Sequence, residues 1–170
     1  ALMSPRIRVA VAASGSGTTF ENLVEASRAG HSPFEVVGLV VSRSDAGALE
    51  RSRRLGVPAQ VISPREVNGP KALGRALGEA WKGWGATWGA LAGWLCRFEG
   101  PAGFRGRILN IHPSLIPAFC GKGYYGHRVH EAVLERGAKI TGCTVHFVDA
   151  EYDHGPILLQ ESVAVEEGDS

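Results

Sequence analysis

Apolar positions recur along this chain with two different periods, and the switches between them mark out its elements. Ile7-Arg-Val-Ala-Val-Ala-Ala13 is a run of small and β-branched residues that predicts a buried first strand. Ser14-Gly-Ser-Gly-Thr-Thr19 interrupts it, after which Phe20, Leu23, Val24 and Ala26 return at helical spacing up to Gly30. Residues 34–41 predict a second strand, 46–55 a short helix ending at Gly56, and 58–62 a third strand. Leu73, Leu77 and Trp81 form one stripe of a helix over 72–84, and 87–93 reads as another buried strand. Ile108, Leu109 and Ile111 make a short buried strand that Pro113, unable to continue a ladder, must end. Residues 127–136 are helical, with Val129, Ala132, Val133 and Leu134 as the apolar set. Residues 140–148 alternate, placing Thr144, His146 and Val148 on one face, and an acidic turn over 149–156 leads to a last strand from 157 to 159 or as far as 165. Strand and helix taken in turn imply an α/β fold with right-handed crossovers and a mainly parallel sheet.

Composition narrows the class. The 170 residues fit one domain, and 44% hydrophobic with 21% charged residues is ordinary for a globular protein. A net charge of +1 advertises neither nucleic acid nor an anionic membrane as partner. No apolar run approaches the roughly 18 residues of a membrane span, and the first residues lack the apolar centre of a signal peptide. Cys96, Cys120 and Cys143 are odd in number without C-x-x-C spacing, so reduced thiols in a cytoplasm are expected rather than a disulfide framework or a zinc site. Trp84, Trp88 and Trp94 interleave with Gly83, Gly85, Gly89 and Gly93; with no basic patch beside them, packing is favoured over base stacking. His127-x-x-His130-Glu131 departs from the spacings of zinc-binding helices, and no metal is expected.

Three stretches carry candidate chemistry. Asn110 and His112 are two apart on a strand, so they project from one face at its C-terminal end, where open α/β sheets bind ligands. A buried Asn beside a capped His fits the same spacing. The strand, Gly-rich turn and helix over 7–30 aim free N–H groups and a positive helix end at an anion. Phe20 stands where a dinucleotide fingerprint has its third Gly, and the Gly-Lys-Ser/Thr of a nucleotide loop is absent. A phosphate monoester is thus the better ligand, with Thr18 and Thr19 adding donors or capping the helix, against a purely structural turn. The Gly- and aromatic-rich stretch 118–126 suits a pocket wall. Asp153, in a loop closed by Gly155-Pro156, either forms an Asx-turn or orients an imidazole and raises its pKa.

Asn110-Ile-His112-Pro-Ser114-Leu, Thr144-Val-His146-Phe-Val and Asp153-x-Gly-Pro156 together resemble the formyltransferases that use 10-formyltetrahydrofolate. The Ser14–Thr19 loop, Ala92-Gly-Trp94 and the block 126–160 extend the resemblance over almost the whole chain. The loop and Tyr125-Gly-His-Arg-Val-His-Glu131 point within that family to the branch acting on glycinamide ribonucleotide in purine (IMP) synthesis. The resemblance implies a single Rossmann-like domain over 1–170, a mainly parallel sheet with helices on both faces, antiparallel strands near the C-terminus, and a last family helix missing after Ser170. It implies Asn110, His112 and Asp153 as the catalytic trio, Gly17, Thr18 and Thr19 at the substrate phosphate, and His146 and Ser114 lining the pocket. Leu95, Cys96, Arg97 and Phe98 would meet the folate, as would Asn110 and the loop Asp149, Ala150, Glu151, Tyr152 and Asp153. Formyl transfer would need no metal and no covalent enzyme intermediate. Asn110 and a protonated His112 would be donors to the oxyanion, with Asp153 favouring the imidazolium and holding a proton-relaying water. Cys96 stands where the family commonly has a basic residue, and Pro70 and Lys71 fall near where another meets the folate tail. The expected partners are small molecules alone, on a monomer or homodimer. Transfer to methionyl-tRNA, or hydrolysis of the formyl folate, usually calls for a further domain. A non-catalytic binding domain is disfavoured by the intact trio.

Overall fold

A computed structural model describes residues 5–30, 32–149, 151 and 153–170. The chain forms two compact units, Ala1–Ile108 and Leu109–Ser170.

The first unit is a parallel α/β layer structure. Its elements are β1 (Ile7–Ala13), α1 (Thr18–Arg28), β2 (Phe34–Val41), α2 (Gly47–Leu55), β3 (Ala59–Val61), α3 (Gly69–Gly83) and β4 (Trp88–Leu91). The strands stand in the order β3-β2-β1-β4 and all pair parallel. The register sorts residues onto two faces. Val11 pairs with Leu39 and Ala90, and this row meets Phe20 and Val24 of α1 and Ala48 of α2 in one apolar cluster. Ala10 pairs with Gly38 and Gly89, so the opposite face carries a row without side-chain bulk. Two tryptophans fill that space: a Cβ on Gly38 would lie 2.1 Å from Trp84, and one on Gly89 2.4 Å from Trp81. The Trp/Gly clustering is therefore packing, with Leu73, Leu77 and Trp81 forming the buried stripe of α3. α3 starts at Gly69, three residues before the expected start at 72, because Pro70 occupies the first turn, where a missing N–H costs nothing.

The second unit is antiparallel. β5 (Ile108–His112) begins on the last residue of the first unit, followed by α4 (His127–Arg136), β6 (Ile140–Phe147) and β7 (Ile157–Ala164). β6 lies between β5 and β7, antiparallel to each. α4 has the expected bounds, buries Val129 and Val133, and stops at Gly137 in the left-handed conformation. β7 extends close to the longer of its two expected limits and is exposed along its whole length. Among the described residues no helix is long and apolar enough to cross a membrane.

Candidate active site

The β5–β6 register builds the centre of the second unit. Asn110 sits directly opposite His146, and His112 opposite Thr144. The amide Nδ2 of Asn110 lies 3.1 Å from His146 Nε2 and 3.4 Å from Asp153 Oδ1. Asp153 reaches both imidazoles, with Oδ2 3.5 Å from His112 Nδ1 and Oδ1 3.5 Å from His146 Nε2. The three residues expected to act together thus touch, with His146 as a fourth member between two of them. His112 and His146 are buried, 4% and 2% exposed.

The partners decide the proton positions. His112 Nε2 lies 2.8 Å from the Phe119 carbonyl. A carbonyl only accepts, so that nitrogen carries hydrogen and Nδ1 is left facing Asp153. His146 Nδ1 donates in the same way to the Phe147 carbonyl at 2.9 Å. When the His146 ring is neutral, its Nε2 lone pair accepts from Asn110; when charged, Nε2 donates to Asp153. Burial pulls the His146 pKa down, but the bond to Asp153, the Phe147 carbonyl and the charges of Asp153 and Asp149 outweigh it and raise the pKa. Burial pushes Asp153 up, yet His146, the Gly121 N–H and the charge of His112 hold it below the usual carboxylate range. The carboxylate stays ionised at neutral pH.

The choice left open for Asp153 resolves through its neighbour. Asp149 makes the Asx-turn, accepting the Glu151 N–H at 2.8 Å on Oδ1 and pairing with His154 at 2.8 Å through Oδ2. Asp153 is thereby left to the imidazoles. It is held with φ 52°, in the left-handed region that non-glycine residues enter at a cost of about 1–3 kcal/mol. Two residues on, Gly155 fixes the loop: a Cβ there would lie 1.7 Å from the Phe147 carbonyl oxygen. Ala150 and Tyr152, expected in this loop, lie outside the described residues.

Two backbone groups join the site that no side-chain pattern could announce. The Phe119 carbonyl binds His112, and the Gly121 N–H donates to Asp153 Oδ2 at 3.0 Å. Phe119 also has positive φ, at 50°. Only the glycine density of 118–126 hinted that this stretch turns its backbone inward. Ser114 is fully buried and donates to the Ala118 carbonyl at 2.6 Å, so its hydroxyl closes the turn that follows β5. Thr144 donates to the Ser114 carbonyl at 2.7 Å and accepts the Ile116 N–H at 3.0 Å, fixing the same loop. Burial and then the Asp153 charge push the Cys120 thiol pKa up.

The Ser14–Thr19 loop follows the C-terminal end of β1 in the first unit. Gly17, not a threonine, is the helix N-cap, in the left-handed conformation and with no side-chain cap bond. The Thr18 hydroxyl instead meets the Ser16 hydroxyl at 3.3 Å. The N–H groups of Thr18, Thr19 and Phe20 head α1 without an intrahelical acceptor. The segment 95–98 is tied to the same loop: Leu95 N–H donates to the Ser14 hydroxyl at 3.1 Å, and Ser42 donates to that hydroxyl at 2.8 Å. Leu95 and Arg97 are exposed, Cys96 and Phe98 half-buried, and Phe98 stands edge-on to Trp94. Among the described residues no group of three or more His, Cys, Asp or Glu is arranged to hold a metal ion. His127 and His130 stack edge-on at the start of α4.

Comparison with known proteins agrees with this arrangement. Residues 7–170 match the family model described as formyl transferase. The chain is 40% identical over 163 residues to a chloroplastic phosphoribosylglycinamide formyltransferase of Vigna unguiculata, covering 94% of this chain and 52% of the relative. Its counterpart from Arabidopsis thaliana is 41% identical over 163 residues, covering 94% of this chain and 56% of the relative. The chain thus spans about half the length of these curated relatives. Among solved structures, glycinamide ribonucleotide transformylase 1 from Symbiobacterium toebii superposes with a TM-score of 0.87 at 42% identity, covering 97% of this chain and 76% of that one. The enzyme of the same name from Geobacillus kaustophilus gives 0.84 at 39% identity, with 98% and 87% covered. A match over all but the first six residues, with Asn110 and His112 on one strand and Asp153 in the loop after β6, places the chain in the formyl transferase family.

Proposed function

We propose that this chain transfers a formyl group from 10-formyltetrahydrofolate to the amine of 5′-phosphoribosylglycinamide, a step of purine (IMP) synthesis. The observation that carries the reading is the cluster in which Asp153 contacts Asn110, His112 and His146 together. The names of the relatives support formyl transfer to phosphoribosylglycinamide, and the anion loop suits the ribonucleotide's 5′-phosphate at Gly17, Thr18 and Thr19. Leu95 to Phe98, with Asp149, Glu151 and Asp153, are our candidates for the folate side, together with Ala150 and Tyr152, which lie outside the described residues. The three unpaired thiols fit a reducing compartment such as the cytoplasm.

In the proposed step, the glycinamide amine attacks the formyl carbon and the carbonyl electrons move onto oxygen. Collapse of the tetrahedral intermediate then breaks the bond to folate N10, which takes up the proton the amine gives away. The Asn110 amide and the His112 imidazolium are the donors for the oxyanion. Before substrate binds, Asn110 is spent on His146 and Asp153, and His112 on the Phe119 carbonyl and Asp153. The oxyanion therefore replaces one of these internal acceptors, and charge developing on it makes the exchange favourable only as the intermediate forms. Asp153, kept ionised, stabilises the imidazolium and holds the water that relays the amine proton.

The test is formyl transfer from a 10-formylfolate analogue, followed by absorbance, with and without glycinamide ribonucleotide and beside His112→Ala. Turnover that requires the ribonucleotide and falls by about 10²–10⁴ in the variant is expected. Loss of the formyl group without the ribonucleotide would overturn the reading in favour of hydrolysis.

A further inference from the structure

An anion loop has to turn its N–H groups toward the ligand and its carbonyls away from it, and in this chain α2 performs the second task. The Gly15 carbonyl accepts the Ala48 N–H at 3.1 Å, and the Ser16 carbonyl accepts Arg51 Nε at 2.8 Å. Gly17 is pressed onto the same helix, since a Cβ there would lie 2.6 Å from Ala48 Cα. Both carbonyls that precede the helix cap are thus tied back, one of them by a single side chain.

That side chain also answers an electrostatic problem. Glu21, in the first turn of α1, suits the helix dipole but has the same sign as a bound phosphate. Its side chain is only 13% exposed and pairs with both Arg51 and Arg54. Arg51 alone touches the carboxylate and the loop together. A guanidinium suits this double role, because Nε and the Nη atoms donate in fixed directions from one plane.

Resting on the function proposed above, we infer that Arg51 is a positioning residue for the substrate phosphate. It holds the Ser16 carbonyl away from the anion and neutralises Glu21 beside it, without itself touching the ligand. Arg54, which meets Glu21 but not Ser16, contributes less. Lysine at position 51 keeps the charge and loses the Nε donor, so it restores only part of the effect.

The experiment measures the Kd of ribose 5-phosphate by titration calorimetry on wild type, Arg51→Ala, Arg51→Lys, Arg54→Ala and Arg51→Ala with Glu21→Gln, alongside steady-state constants for both substrates. Arg51→Ala should raise the ribose 5-phosphate Kd and the ribonucleotide KM on the order of tenfold, with kcat within about twofold and the folate KM unchanged. Arg51→Lys should fall between, Arg54→Ala should change the Kd less than about threefold, and the added Glu21→Gln should recover part of the loss. A Kd unmoved in both Arg51 variants would overturn the inference, as would a folate KM that rises in parallel. If wild type binds ribose 5-phosphate yet turns over no ribonucleotide, the proposed function fails while the Kd series still decides the role of Arg51. If wild type binds no ribose 5-phosphate, the inference fails by itself.

Discussion

At Asp153 one carboxylate serves an amide, a backbone N–H and two imidazoles, and its pH behaviour can be worked out from those contacts. Its pKa is lowered in the folded chain, so its contribution to stability is present above the unfolded value of about 3.9 and is lost as pH falls through the folded one. The His146 pKa is raised, so its contribution is present below about 6.5 and is lost as pH rises through its folded value. The pair stabilises most between those limits. Asp153→Asn keeps the shape and removes the charge. Its stability deficit, read from urea unfolding against pH, should be largest between about pH 4 and 6.5 and shrink on both sides. In the variant, burial of His146 goes unopposed by that charge, so its imidazole titration followed by NMR should shift to lower pH. A titration that stays in place would break the assigned coupling. Asn110, His112, His146 and Asp153 could be picked out of the sequence because their side chains are distinctive and their flanks specific. That Asp149 rather than Asp153 takes the Asx-turn was not legible. The two aspartates sit in one acidic turn, and the choice is made by His154 on one side and by groups as distant in sequence as Gly121 on the other.

Among the elements, α3 shows glycine chosen for closeness rather than for flexibility. A Cβ on Gly74 would lie 1.8 Å from the Glu99 carbonyl oxygen, and one on Gly78 2.5 Å from the Pro101 side chain. Backbone cannot yield as a side-chain tip can. Gly74→Ala should therefore destabilise by about 2–4 kcal/mol, although alanine is the better helix former by about 1 kcal/mol. Gly83→Ala on the same helix meets nothing within 4 Å and should be neutral or slightly stabilising. Denaturant midpoints for the two variants should move in opposite directions or differ widely; equal midpoints would show that the packing of 99–101 on α3 contributes nothing. Apolar periodicity was enough to find the helices and most strands because they bury one stripe or face, whereas β3 and β7, exposed along their length, were found from β-branched composition and the turns that bound them. It gave boundaries less well where a proline could be read as a breaker, as at Pro70. It could not show that Gly38, Ala10 and Gly89 share a row, since register is set by pairing between strands and not within one.

For the molecule as a whole, the sequence fell short on strand direction and succeeded on charge. A strand reads the same parallel or antiparallel, so the change from a parallel first unit to an antiparallel second one was foreseen only through family resemblance. Charge needs no such help: 18 basic and 17 acidic residues nearly cancel, so no strong net field is expected. Away from Glu21 and Asp153, the ion pairs among the described residues lie at the surface. Arg8–Glu35 has side chains 45% and 36% exposed, Arg53–Glu50 71% and 77%, and Arg43–Asp45 61% and 78%. Exposed pairs of this kind contribute about 0–1 kcal/mol each and are screened as the Debye length shrinks from about 10 Å at 0.1 M salt to about 3 Å at 1 M. The apolar cores of the two units are indifferent to that screening. Raising NaCl over that range should accordingly move Tm by no more than about 2 °C. On the proposed anion loop, the affinity for ribose 5-phosphate should weaken several-fold over the same range. A fall in Tm of more than about 5 °C would mean that surface ion pairs, and not burial, hold this chain together, while an affinity indifferent to salt would remove the anion loop from the binding of phosphate.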